Sequence, residues 1–146
     1  MGFCITATNS QYSFDGGMGG FMSLRENIAR AWDKEFGDHY ATLRRCIWEK
    51  DYEEFNKKTN QILSESRFED GGEKADDQDI VDFLFASDCE GEISYKTCKK
   101  IYDLIKDIDF GNRIFTYAAH SDGKDYEHFK DFLLDCYKRR AKMRWN

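Results

Sequence analysis

Apolar residues in this chain recur every three or four positions, segment after segment, and that period commits most of it to amphipathic helices packed on one another. Leu24, Ile28, Ala31, Trp32 and Phe36 share one helical face, with Ser23 and Glu26 at capping-box spacing and Gly37 as a stop. Asp38 is placed to cap a second helix carrying Tyr40, Leu43, Cys46 and Ile47. Asp51 with Glu54 repeats the capping logic before Phe55, Thr59, Ile62 and Leu63, and since no proline intervenes the two could form one bent helix. Asp76, Asp77 and Asp79 suit the positive end of a helix bearing Ile80, Phe83 and Leu84, and Ser94 can cap another carrying Cys98, Ile101, Tyr102 and Ile105. After a Ser121-Asp122-Gly123 turn, Tyr126, Phe129, Phe132, Leu133, Cys136 and Tyr137 mark a final helix.

Other segments break that period. Phe3, Ile5 and Ala7 alternate with polar residues as in a half-buried strand, and Met143-Arg144-Trp145 is its candidate partner. Tyr12 to Phe21, with four glycines among aromatics, reads as a packed loop; residues 65–75 read as a mobile surface loop. The stretch 113–119 has strand-type residues, but Phe110, Ile114, Tyr117 and Ala118 fit a helical face, and helix is narrowly preferred. The expectation is an α+β fold, predominantly α-helical, with about six helices and a small sheet from the N-terminal strand and the C-terminus. A length of 146 residues supports one hydrophobic core and so a single domain, 1–146.

Composition narrows the function classes. Twelve Phe, eight Tyr and three Trp give enough to bury that disorder is excluded despite 34% charged residues. No apolar run approaches the roughly 20 residues that cross a bilayer, and the N-terminus lacks a secretory pattern, so a cytoplasmic protein without membrane contact is expected. Cys4, Cys46, Cys89, Cys98 and Cys136 are odd in number and never form C-x-x-C, which points to reduced thiols. A net charge of −6 disfavours nucleic acid as a partner. Between Glu65 and Glu92 stand eleven acids against Arg67 and Lys74, whereas Lys138 to the end carries five basic residues and no acid. A solvated acidic face and a cationic helix end are the ordinary explanation, with the basic cluster complementing the acidic region internally; recognition of a macromolecule is the sharper one.

The segment Leu84 to Ser94 resembles an EF-hand loop: Asp88 and Glu90 fall at the third and fifth positions, Gly91 at the sixth, Ile93 at the eighth and Ser94 at the ninth. Ala86 and Thr97 occupy the first and twelfth positions, where the strongest carboxylates belong, so a helix–turn–helix corner is favoured over a metal site. The candidate metal set is Asp88, Glu90, Glu92 and Ser94. Ser87-Asp88-Cys89-Glu90-Gly91 with its following amphipathic helix and the Met143-Arg144-Trp145 ending also resembles a group of small uncharacterised bacterial proteins. That resemblance covers about the C-terminal 60 residues, less securely Asn9 to Phe21, and implies a bacterial or mobile-element origin without a mechanism.

Gly16-Gly17-Met18-Gly19-Gly20 ahead of a helix could cradle an anion through Gly17, Gly19, Gly20 and Arg25, but neither G-x-G-x-x-G nor a P-loop ending is present. Met1-Gly2-Phe3-Cys4-Ile5-Thr6 formally matches a myristoylation signal, yet reads better as an internal strand. His39, His120 and His128 form no recognisable constellation, although His120 and His128 could meet Asp122 and Asp125 around a turn. The leading expectation is a non-enzymatic bacterial interaction protein without cofactor, of immunity or mobile-element type. It would bind a basic macromolecule through Asp76, Asp77, Asp79, Asp82, Asp88, Glu90 and Glu92. The rivals are a small ligand- or metal-binding regulator using the Asp88–Ser94 turn or the glycine loop, and an enzyme built on His39, His120 and Asp122.

Overall fold

The alternating residues at the N-terminus form β1 (Gly2–Thr6), and β1 finds two antiparallel partners in the computed structural model, which describes residues 2–118 and 121–146. One is β2 (Phe14–Gly17), reached through a turn; the other is β4 (Met143–Trp145), the expected C-terminal strand. A third short strand, β3 (Gly91–Ile93), lies outside β4, giving the order β2-β1-β4-β3. Register puts Ile5 opposite both Phe14 and Trp145, and Ile93 opposite Met143, so Phe3, Ile5, Phe14, Ile93, Met143 and Trp145 all point into the core. The helices are α1 (Met18–Trp32), α2 (Lys34–Tyr40), α3 (Leu43–Glu49), α4 (Glu53–Leu63), α5 (Gln78–Phe85), α6 (Tyr95–Ile105) and α7 (Asp125–Arg139). The fold is thus α+β and mostly helical, its small antiparallel sheet built from both ends of the chain with the internal β3 added at one edge.

α1 is the central helix. Phe21 meets Phe3 edge-on at 5.1 Å and Trp145 at 5.7 Å, while Leu24, Ile28, Ala29 and Trp32 continue the same buried face. Across the sheet, α7 presents Phe129 and Phe132 to Phe14, edge-on at 5.6 and 5.4 Å. Each such ring, buried from water, stabilises the fold by about 1.5–3 kcal/mol, which is why residues from Phe3 to Trp145 join one core cluster.

Several local expectations give way to tertiary contacts. α1 starts at Met18, not Ser23: its N-cap is Gly17, and Ser23 and Glu26 lie inside the helix, both bonded to Arg44. The glycine segment is therefore a strand and a helical turn rather than a loop. A Cβ on Gly20 would sit 2.1 Å from the Phe115 carbonyl, and one on Gly16 2.6 Å from both Phe115 O and the Phe3 ring, so these glycines permit close packing. Gly37 likewise does not stop a helix. It lies within α2, where a Cβ would meet the Arg30 backbone at 2.5 Å, and the break falls instead at Asp33, whose Oδ1 accepts from Phe36 N at 2.9 Å. Asp38 is inside α2 and pairs with Arg30 and Lys34 instead of capping. Helix separates from helix at Thr42 and again at Lys50, which adopts φ 56°. Asp51 receives the Glu53 amide at 3.2 Å without forming a full capping box. Residues 65–75 include a 3-10 turn at Ser66–Phe68 and are tied down by Phe68 against Trp32 and by Arg67 on Asp33. The stretch 113–117 is neither helix nor strand, Ala118 is 3-10 helical, and Ala119 lies outside the described residues.

Candidate functional site

The corner singled out in the sequence forms between α5 and α6, and its Asp88, Glu92 and Ser94 side chains take partners within the protein. Arg25, 3% exposed in the middle of α1, donates from Nη1 to Asp88 Oδ1 at 2.7 Å and from Nη2 to the Ser87 carbonyl at 3.4 Å. Its guanidinium lies 4.2 Å over the Phe21 ring, with Phe83 and Trp145 beyond. Burial lowers its pKa, with Tyr40 and Asp88 opposing that trend. Trp145 Nε1 donates to the same Ser87 carbonyl at 2.9 Å, and the Trp145 ring covers Gly91 so closely that a Cβ there would meet it at 2.1 Å. Glu92 stands opposite Arg144 in the sheet register and pairs with both Arg144 and Lys142 at 3.4 Å. Ser94 Oγ caps α6 by accepting from Thr97 N at 3.3 Å. Of the four candidate metal ligands, Asp88, Glu92 and Ser94 thus have protein partners in three different directions, and Glu90 is exposed. Among the described residues, no group of three His, Cys, Asp or Glu is placed to hold a metal ion.

The acidic stretch divides in two. Asp77 accepts from Trp32 Nε1 at 2.9 Å and faces Lys100 at 3.5 Å; Asp79 accepts from Thr97 Oγ1 at 2.7 Å and from Lys100 at 3.0 Å. With Asp88 and Glu92, these acids stitch α1, α5, α6 and β4 together. Arg67 and Lys74, the two cations of the stretch, both turn to Asp33, at 2.7 and 3.4 Å; Arg67 also reaches Glu35 and Glu65, and Lys74 the Trp32 carbonyl. Although burial works against ionisation, the bonds from Arg67 and Phe36 N and the charge of Lys74 hold Asp33 down at about 2. What remains is Asp76, Asp82 and Glu90 from the expected set, joined by Glu69, Asp70 and Glu73. All six are exposed, and among the described residues none of their carboxylates has a cationic group within 4.0 Å, although Lys100 Nζ donates to the Asp76 main-chain carbonyl at 2.7 Å. Their run of acids is visible in the sequence; which of them are spent internally is not.

The expected anion cradle is dispersed. Gly20 packs under Phe115, the Gly19 carbonyl accepts from Arg44 at 3.2 Å, and Arg25 faces Asp88. The histidines are likewise separate. His39 is buried between α2 and α4, stacked on Phe55 at 4.3 Å, with Nε2 2.7 Å from Thr59 Oγ1. The Thr59 hydroxyl donates to the Phe55 carbonyl at 2.9 Å, so Nε2 carries the proton that binds it. Burial lowers the His39 pKa, and Lys58 adds to the effect. His128 pairs with Asp122 at 3.0 Å, half exposed, at a cleft that Tyr12, Asp15, Thr116 and Asp125 also line. Asp125 is no free base: its carboxylate accepts from Phe115 N, Thr116 N, Thr116 Oγ1 and Ser121 Oγ at 2.7–2.9 Å, fixing the irregular 113–117 stretch onto α7. His120 lies outside the described residues.

All five cysteines are free thiols. Cys98 and Cys136 are buried between α6 and α7, and hydrogen bonding to Cys136 together with burial pushes the Cys98 thiol up. At the C-terminal basic cluster, Arg139 bonds the Thr8 carbonyl at 2.7 Å and Asp135, while Lys142 and Arg144 share Glu92. The helix α3 forms a surface that sequence reasoning missed. None of its residues is buried, and Trp48 is 87% exposed beside Ile47 at 42% and, just beyond the helix, Tyr52 at 43%. The sequence signal is an apolar pair, Ile47-Trp48, of which only Ile47 fits the expected core face. Among the described residues no helix is long and apolar enough to cross a membrane. No family model, curated protein or solved structure matches this chain.

Proposed function

We propose that this chain is a non-catalytic interaction protein that recognises a basic protein through an acidic surface, of the immunity or mobile-element type among bacterial proteins. The observation that carries the proposal is the inward turn of Arg67 and Lys74 onto Asp33, which leaves Glu69, Asp70, Glu73, Asp76, Asp82 and Glu90 exposed with no ion pair on their carboxylates among the described residues. An unneutralised field of one sign speeds encounter with a basic partner and repels acidic ones. Each exposed acid contributes about 0–1 kcal/mol by itself, so recognition belongs to the set. Masking a basic partner is the task such a surface suits, and the resemblance carried by Ser87–Gly91 supplies the bacterial setting.

The test is co-purification from the native host at about 50 mM and about 500 mM salt, with wild type and with the reversal variant E69K/D70K/E73K/D76K. The expected result is a stoichiometric basic protein retained at low salt, released at high salt and absent with the variant. Recovery of the chain alone at both salts refutes the proposal, as does a partner indifferent to the reversal.

A further inference from the structure

We propose that α3 is the contact through which two copies of this chain associate about a two-fold axis. Trp48 at 87% exposure, with Ile47 and Tyr52, places large apolar groups in water on a helix that buries none of its own residues. Exposed Trp and Tyr near one another in the chain, with Arg45, unpaired among the described residues, alongside, have the composition of a binding anchor.

Charge identifies the occupant. The whole chain carries −6, which opposes self-association, but the segment from Arg45 to Lys58 holds four cations and four anions. None of those eight enters an ion pair among the described residues. They are also ordered: Arg45 precedes Trp48 by three residues, and Asp51 comes three residues after it. In a two-fold contact centred on Trp48, residues before the axis in one copy meet residues beyond the axis in the other. Arg45 of each copy then faces Asp51 of its mate while the Trp48 rings cover one another. A basic partner would meet Arg45 and Lys50 as like charges, whereas a second copy satisfies the apolar centre and the flanking charges together. The aromatic rings bury about 150–250 Å² each at most, so the contact lies near the small end of specific interfaces, about 1,000 Å². The dimer is reversible, with a dissociation constant on the order of tens of micromolar.

Sedimentation velocity over about 5 to 500 µM, a range that brackets that constant, tests the proposal directly. Wild type shifts from monomer to dimer across the range. W48A stays monomeric with unchanged circular dichroism, because the removed ring contributes nothing to the core. R45D and D51R each weaken association by about tenfold or more, and the double swap R45D/D51R recovers it to within about threefold. The acidic-stretch reversal dimerises as wild type does, so this contact and the acidic surface fail or stand separately. A wild type that is monomeric throughout, a W48A variant that dimerises normally, or a double swap no better than its single members overturns the proposal.

Discussion

Removing Asp88 should cost more than removing its partner Arg25, and the difference stems from where each side chain sits. Arg25 is 3% exposed and Asp88 29% exposed, joined at 2.7 Å. In Asp88→Ala the guanidinium keeps the Ser87 carbonyl at 3.4 Å as its one hydrogen-bond partner and the rings of Phe21 at 4.2 Å and, farther off, Phe83 and Trp145, and Arg25 Nε already has no hydrogen-bond partner. Orphaning a buried charge costs about 3–5 kcal/mol. The cation–π contact and the pair's position at the protein edge reduce this to about 3 kcal/mol. In Arg25→Met the side chain still fills its place among Phe21, Phe83 and Trp145, and the carboxylate left behind can hydrate, so the cost is about 1 kcal/mol or less. The double variant should resemble Arg25→Met, giving a coupling of about 3 kcal/mol, the whole cost of Asp88→Ala. Urea unfolding followed by tryptophan fluorescence, with transition slopes that agree among variants, measures all three. Equal costs for the two single variants, or a larger one for Arg25→Met, would refute the assignment of Arg25 as the buried member whose charge needs the pair.

Asp33 has its pKa lowered from 3.8 to about 2. Its contribution is therefore complete above about pH 4 and disappears as the pH falls through 2. Asp33→Asn, which can still cap α2, should lose about 2 kcal/mol near neutrality and flatten the acid limb of a stability curve; an unchanged limb refutes the ion-pair account. For His39 the folded pKa lies below the ordinary value of 6.5, so the unfolded chain takes up the proton first and stability falls as the pH drops below about 6.5. His39→Gln should remove that dependence, which urea midpoints between about pH 7 and 5 would show. Gly20→Ala gains about 1 kcal/mol in helix propensity, but its Cβ would lie 2.1 Å from the Phe115 carbonyl, and the net expectation is a loss of about 1–3 kcal/mol. Gly19, with nothing within 4 Å of its Cβ position, should gain up to about 1 kcal/mol on the same change. Thermal melts that order the two glycines the other way would contradict the packing of α1 on the 113–118 stretch.

Helical period and strand alternation are enough to read from the chain alone that α1 holds Leu24, Ile28 and Trp32 inward, that α6 buries Cys98, Ile101 and Ile105, that α7 buries Phe129, Phe132 and Cys136, and that the N-terminal residues run as a strand. These are repeated, short-range signals, and several residues report each of them. Where an element begins or breaks rests on single residues, and there tertiary packing prevails. Ser23 is drawn to Arg44 instead of a cap, Gly37 is needed against Arg30 instead of ending a helix, and Gly16 and Gly20 join a strand and a helix because Phe115 passes too close for a side chain. The candidate surface shows the same division. The sequence determined that residues 65–92 are acidic, since charge is a property of composition. Only the tertiary structure decided that Asp77, Asp79, Asp88 and Glu92 are spent on Trp32, Lys100, Arg25 and Arg144 while Asp76, Asp82 and Glu90 keep their charge in water. A carboxylate's partner can be 63 residues away, as Arg25 is from Asp88, and no local pattern encodes that distance.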